Sequence, residues 1–164
     1  MWVIKFLWLG LIALSVSGCM PNMFWAGGKD ITEIIVMKEQ RRLYLMHKKT
    51  VLKTYKIDLG FNPRGHKAIE GDGKTPEGRY VINRYNPDSE FHLSLGISYP
   101  NNKDRALARA LGKSPGGDIF IHGQPNKPRR LTKDWTLGCI AVTNEQVEYM
   151  FAHVKPGTPV RIYP

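Results

Sequence analysis

Short β-rich segments separated by turn-forming residues run from Ile31 to the end of the chain, and this pattern limits the possible folds most strongly. The segments are 31–38, 41–46, 51–59, 79–85, 91–99, 118–122 and 158–163. Their length and their content of Val, Ile, Tyr and Phe are typical of strands. The pattern predicts one mainly β domain.

Turn signals locate the hairpins within this pattern. Residues 47–50 (HKKT) and 86–89 (NPDS) each predict a turn between two strands. Residues 60–78 are rich in glycine and charge, and they contain two prolines, which favours a longer loop. In segment 51–59 we expect one buried face, formed by Val51, Tyr55 and Ile57.

Two segments have helical rather than strand periodicity. Thr143 and Gln146 have the spacing of a capping box at the start of a helix. The helix over 143–154 should bury a stripe formed by Val147, Met150, Phe151 and Val154. A second helix is predicted over 101–111, with an apolar side formed by Ala106, Leu107, Ala110 and Leu111.

The first 18 residues are typical of an export signal. Lys5 precedes an apolar stretch, 6–16, that is shorter than the roughly 20 residues of a membrane span. The ending Ser17-Gly18-Cys19 resembles a bacterial lipobox, which implies lipidation of Cys19. A plain secretory signal and a short uncleaved anchor are the alternatives. We therefore predict a signal peptide at 1–18, a lipidated tether at 19–30 and a domain at 31–164.

The basic charge of the chain limits the classes of molecule that it is expected to bind. Lysine and arginine outnumber aspartate and glutamate by 24 to 14, so the formal net charge is +10. Such an excess favours nucleic acid, anionic lipid or a carboxylate-rich polymer such as bacterial cell wall. Because an export signal disfavours nucleic acid, we expect the cell wall and the membrane surface as partners.

Cys139 is the strongest candidate for a catalytic residue. With Cys19 committed to lipid, it has no disulfide partner in a chain with two cysteines. The apolar strand 119–121 ends at His122-Gly123, and an imidazole there could lower the pKa of the thiol and accept its proton. The alternative is a buried structural thiol with a core histidine. Neither a second free cysteine nor a close histidine pair is present, so we predict no metal site and no cofactor.

The exact strings around these residues resemble the L,D-transpeptidase catalytic domain (YkuD-type) family. The family signature is His-Gly, a spacer, and then Ser/Thr-x-Gly-Cys-Ile/Val, which matches His122-Gly123 and the string 136–140 (TLGCI). The loop 71–78 (GDGKTPEG) and the end 157–160 (GTPV) are also similar. The string 134–144 (DWTLGCIAVTN) looks closest to the YafK-like branch of Gram-negative bacteria.

The resemblance implies a fold, a reaction and roles for individual residues. The fold would be an L,D-transpeptidase-type β-sandwich with one or two short helices. Cys139 would attack the L,D bond of a peptidoglycan stem peptide and form a thioester, with His122 as base and then acid. The Gly123 carbonyl would orient His122, and the Gly138 amide would contribute to the oxyanion hole. The substrate-binding candidates are Thr136, Trp135, Arg129, Arg130 and His66.

Two departures from the common family string leave the outcome of the reaction open. Leu137 replaces a histidine, and Ala141 replaces an arginine that is expected to steady the catalytic loop or bind substrate. The alternatives to transfer are hydrolysis, as an L,D-endopeptidase, carboxypeptidase or amidase that releases wall-linked proteins, and a non-catalytic, lipid-tethered wall-binding module.

Met20 favours the outer membrane, so we expect a lipid-anchored protein on the periplasmic side of the envelope. We expect activity to fall on acidification between roughly pH 8 and 5, where a histidine ordinarily titrates.

Overall fold

The computed structural model describes residues 29–164, which contain eight strands and two helices. They are β1 (Glu33–Met37), β2 (Arg42–His47), β3 (Thr50–Lys56), β4 (Gly78–Ser89), β5 (His92–Ile97), α1 (Asn102–Ala110), β6 (Phe120–His122), β7 (Ile140–Ala141), α2 (Asn144–His153) and β8 (Pro159–Tyr163). The prediction of a mainly β domain with one or two short helices is confirmed.

The predicted signal peptide, Cys19 and most of the tether lie outside the described residues. Their roles therefore stay predictions. In the part of the chain from residue 29 onward, no helix is both long and apolar enough to cross a membrane.

The strands form one hydrogen-bonded sheet that turns back on itself. Their order is β3-β2-β1-β8-β4-β5-β6-β7, with parallel pairs at β1–β8 and β6–β7. The long strand β4 belongs to both halves, since residues 78–81 pair with β8 and residues 82–89 pair with β5. Bridges from Asp58 to Ala141 and from Gly60 to Thr136 connect the chain after β3 to the opposite edge. These bridges bring the loop before β7 against the first half of the sheet.

One hydrophobic core lies inside this closed sheet and includes residues of both halves. Fully buried members from successive strands are Ile34, Leu45, Ile82, Leu95, Ile121 and Ile140. Helix α2 covers β5 and β6 with its predicted stripe, of which Val147, Met150 and Val154 are buried and Phe151 is partly buried. The predicted capping box of Thr143 and Gln146 is present. The α2 prediction is therefore confirmed, because periodicity and capping agree at this segment.

Helix α1 confirms the helix predicted over 101–111, with Asn101 as its N-cap. Its buried residues are Asp104 and Ala108, whereas Leu107 and Leu111 are 41% and 53% exposed. The Tyr80 hydroxyl donates to Asp104 Oδ2 at 3.1 Å, and His66 Nε2 lies 3.2 Å from Oδ1. Because these remote partners satisfy a buried carboxylate, the polar side of the helix faces inward. The apolar side formed by Ala106, Leu107, Ala110 and Leu111 therefore lies on the surface of the domain.

The predicted turn at 86–89 was also wrong, because β4 runs through these residues and the hairpin turns at Glu90-Phe91. An irregularity in the pairing between Asn86 and Ser89 accommodates Pro87, which has no N–H to donate. Val51 likewise departs from its prediction and is 49% exposed, beside the hairpin end, although Tyr55 and Ile57 are buried.

Candidate active site

His122 is the last residue of β6 and lies between two paired strands. It pairs with Ser94 of β5 on one side and with Ala141 of β7 on the other, and only 3% of its surface is exposed. Its Nδ1 lies 2.7 Å from the Gly123 carbonyl oxygen. Because a carbonyl can only accept a hydrogen bond, Nδ1 carries the proton in the neutral ring. Nε2 is then left with a lone pair that can accept a proton.

Two aromatic rings and a cation enclose the imidazole. The centroid of the His122 ring lies 4.5 Å from that of Phe91 and 5.5 Å from that of Trp135. The Arg129 guanidinium stands over Trp135 at 4.7 Å and over Phe91 at 5.6 Å. Burial and, to a smaller extent, the Arg129 charge lower the pKa of His122 to about 4, against the opposing effect of the Gly123 hydrogen bond. The imidazole is therefore neutral at physiological pH.

Cys139 lies just before β7 and is half-buried. The Phe120 N–H donates to Sγ at 3.4 Å, and the thiol donates to the Asp118 carbonyl at 3.4 Å. Burial raises the pKa of the thiol to about 11, although the Phe120 N–H works in the opposite direction. The expectation of a thiol pKa lowered by the imidazole was therefore wrong for the resting protein. The thiol and the imidazole that line the same cavity are therefore both neutral at physiological pH.

Thr136 holds the loop in front of Cys139 together. Its Oγ1 donates to the Cys139 carbonyl at 2.7 Å and accepts the Gly138 N–H at 3.2 Å. Thr136 is 4% exposed, so it acts inside the loop and not on the surface that a substrate would contact. The Gly138 amide is engaged in the same contact, which corrects its expected role in the oxyanion hole. The Cys139 amide is then the candidate donor to an oxyanion.

Two cavities meet at Cys139. One has a volume of about 260 Å³ and contains the side chains of His122, Phe91 and Phe120. The other, of about 390 Å³, is lined by Phe61, Lys67 and Leu137. Leu137 is 79% exposed, so the residue that replaces the family histidine forms part of an open apolar rim.

The remaining predicted substrate-binding residues lie at different places. Trp135 and Arg129 cover His122, and Arg130 is exposed on the same loop. His66 is not in the cavity with Cys139. Its Nδ1 accepts the Glu77 N–H at 3.0 Å and its Nε2 faces Asp104, which makes it a link between the loop 60–78 and α1. The suggestion that His66 reaches the site was wrong.

Several residues of the site had not been found from the sequence. Phe91 was assigned to a strand, and the main-chain groups of Asp118 and Phe120 carry no side-chain signal. Arg41 and Asp134, which form an ion pair behind the loop, are far apart in the sequence. Within residues 29–164, no group of three histidine, cysteine, aspartate or glutamate side chains is arranged to hold a metal ion.

The fold and the site define a mainly β domain with a cysteine and a histidine facing one cavity at the edge of a closed sheet. The family model of the L,D-transpeptidase catalytic domain (YkuD) matches residues 31–162. The chain belongs to this family.

Known relatives agree with this membership. YafK of Escherichia coli (strain K12) is 32% identical over 144 residues, which are 80% of this chain and 53% of YafK. Among solved structures, the helical cell shape determining protein Pgp2 from Campylobacter jejuni has a TM-score of 0.62 and 29% identity, over 83% of this chain and 51% of that chain. L,D-transpeptidase 1 of Mycobacterium tuberculosis, at 13% identity, a TM-score of 0.53 and coverage of 82% and 62%, shares the fold. The chain spans about half the length of the curated relatives that it matches.

Proposed function

We propose that this protein is a cysteine-dependent acyltransferase that acts on peptidoglycan stem peptides through a thioester. The observation that carries the proposal is that Cys139 and His122 line the same cavity while the Gly123 carbonyl fixes the proton of His122 on Nδ1. Nε2 is therefore available as a base, and the thiol is accessible from a second cavity with room for an acceptor.

The proposed reaction starts from the neutral pair. As Sγ attacks the carbonyl carbon of the L,D bond in a tetrapeptide stem, the thiol proton moves to His122 Nε2. The Cys139 amide faces the developing oxyanion. His122 then returns the proton to the amine of the leaving D-Ala, and a thioester remains on Cys139. An incoming amine then attacks the thioester carbon to form the cross-link, the C–S bond breaks, and the surplus proton of the amine passes through His122 to Sγ, which restores the thiol.

Hydrolysis of the same thioester is the second candidate. The replacement of the family histidine by Leu137, with its side chain 79% exposed beside Cys139, changes the surface that an acceptor would contact. With water in place of an amine, the products would be shorter stems or released wall-linked proteins. The similarity to Pgp2, a helical cell shape determining protein, supports a role in shaping the wall under either outcome.

The experiment that tests the proposal incubates the purified protein with disaccharide-tetrapeptide. Dimers are expected for transfer, and monomers that lack D-Ala are expected for hydrolysis. Stem dimers linked 3→3 and protein-linked muropeptides should be offered in parallel. Intact-protein mass after treatment with a carbapenem provides a readout that is independent of the acceptor, because acylation adds mass at Cys139. A folded protein that gives neither products nor an adduct would leave only the non-catalytic, wall-binding function.

The pH dependence of the reaction follows from the pKa of His122. The imidazole accepts a proton only when it is neutral, which it is above its pKa of about 4. We therefore expect kcat/KM to be flat between roughly pH 5 and 8 and to fall only as the pH passes below about 4. This corrects the expectation of a fall near neutrality, because burial in the sheet was not apparent from the sequence. A pH–rate profile measures it, and an acid limb close to the ordinary histidine value would contradict the neutral-pair mechanism.

A further inference from the structure

Two residues with left-handed backbone conformations face each other behind the site. Arg41, in the turn between β1 and β2, has a φ of 51°, and Asp134 has a φ of 53°. Residues other than glycine adopt this conformation only where the surrounding structure enforces it, and such residues concentrate at functional sites. An ion pair connects these two.

Arg41 binds Asp134 through two parallel hydrogen bonds. Nε lies 2.8 Å from Oδ1, and Nη2 lies 2.7 Å from Oδ2. The side chains are 18% and 10% exposed, so solvent screens the pair only weakly. Oδ1 also accepts the Leu59 N–H at 3.1 Å, and Arg41 donates to the Lys38 carbonyl. The pair therefore connects the β1–β2 turn, the chain after β3 and the start of the loop 134–139.

The loop 134–139, which begins at Asp134, contains the residues that contact His122 and the main chain of Cys139. Trp135 covers the imidazole, and Thr136 holds the Cys139 carbonyl. The Thr136 N–H donates to the Leu59 carbonyl at 3.1 Å. Leu59 is therefore hydrogen-bonded to both Asp134 and Thr136. A displacement of Asp134 would therefore move the aromatic cover and the nucleophile together.

We propose that Arg41 is a positioning residue for the reaction: its two-point contact with Asp134 sets the loop that holds Trp135 over His122 and Cys139 in its place. The inference rests on the proposed function for the reaction itself. The state of the imidazole, however, can be measured without any substrate.

Arg41 acts on the imidazole only through this loop. The groups that face or share the cavity with His122 are the rings of Phe91, Phe120 and Trp135, the Arg129 guanidinium, the Gly123 carbonyl, the Cys139 thiol, the side chains of Asn86, Ser89 and Ser94, and the carboxylates of Glu90 and Asp118. Arg41 is not among them. A change at Arg41 is therefore expected to alter the titration of His122 through Asp134 and the chain that follows it.

The test follows the His122 imidazole by NMR titration in the full chain carrying Arg41→Met or Arg41→Lys. Without the two-point contact the aromatic cover loosens and water reaches the ring, so the pKa of His122 should rise by about one unit or more from about 4 towards its ordinary 6.5. Lysine offers a point charge and not a fork, so Arg41→Lys should give an intermediate shift. In parallel, kcat/KM should fall by about tenfold or more, because small misplacements of reacting groups are costly.

Arg161→Met is the matched control. Arg161 also binds a carboxylate, Glu33, through two nitrogens, but this pair joins β8 to β1 and touches no residue of the loop 134–139. It should leave the titration of His122 unchanged while lowering stability.

A folded Arg41→Met protein whose His122 titrates as in the unmodified chain would overturn the proposal. If that variant does not fold, the titration of Arg41→Lys decides in the same way. Shifted titrations in a protein without any turnover would reject the proposed function and leave the positioning role intact.

Discussion

Cys139→Ser is expected to lower turnover of a disaccharide-tetrapeptide by at least about a thousandfold, the scale on which loss of a nucleophile acts. A base whose pKa is about 4 is weak, and it can assist a thiol far better than a hydroxyl, whose pKa is much higher. The serine variant should keep the fold because it differs by one atom. Product formation followed by chromatography, together with the loss of the carbapenem adduct, measures the effect.

Cys19→Ser is the control for this substitution, because it removes the other cysteine of the chain. It should leave the reaction of the purified protein with soluble muropeptides unchanged. Comparable turnover in Cys139→Ser and the unmodified protein would rule out the thioester.

His122→Asn is expected to lower kcat/KM by about a hundredfold to ten-thousandfold, the range over which general acid–base groups contribute. Asparagine cannot carry a proton from the thiol to the leaving amine. His66→Gln is the matched control, since His66 contacts Glu77 and Asp104 and does not line the cavity with Cys139. It should retain activity. Equal losses in both variants would indicate that the effect on His122 is one of folding.

The same substitution should make the fold less sensitive to acid. The pKa of His122 is about 4 in the folded chain and about 6.5 in the unfolded chain, so between these values only the unfolded chain binds the proton. Protonation thus favours unfolding, and the free energy of unfolding falls as the pH drops from 6.5 to 4, by about 3 kcal/mol for this residue. Denaturant unfolding of His122→Asn across this range should lack that part of the decline.

The sequence predicted those parts of the structure in which local signals agree with the final packing. At α2 the capping box and the apolar stripe act on the same segment, and both were correct. Cys139 and His122 were predicted as a pair from a short motif, and the structure places both on one cavity. At α1 the local pattern predicted the helix correctly but not which side is buried, because Tyr80 and His66, which satisfy Asp104, come from distant parts of the chain.

The electrostatics of the site could not be predicted for a related reason. The pKa values of His122 and Cys139 depend on burial, and burial is a property of the assembled sheet. The Arg41–Asp134 pair was also not apparent from the sequence, because the two residues are 93 positions apart and Arg41 belongs to no recognisable motif. Contacts made by main-chain groups, such as the Phe120 N–H, cannot be predicted from residue types, because every residue except proline carries the same N–H group.

The continuity of β4 determines how the site can admit a long polymer. Because one uninterrupted strand pairs with β8 and then with β5, the two halves of the domain have no hinge between them. A ligand at Cys139 is therefore not expected to be gripped by closure of two lobes. The approach to Cys139 is instead bounded by loops, namely the segment between β6 and β7, the loop 60–78 and the β4–β5 hairpin, so substitutions along them should govern how fast ligands enter and leave.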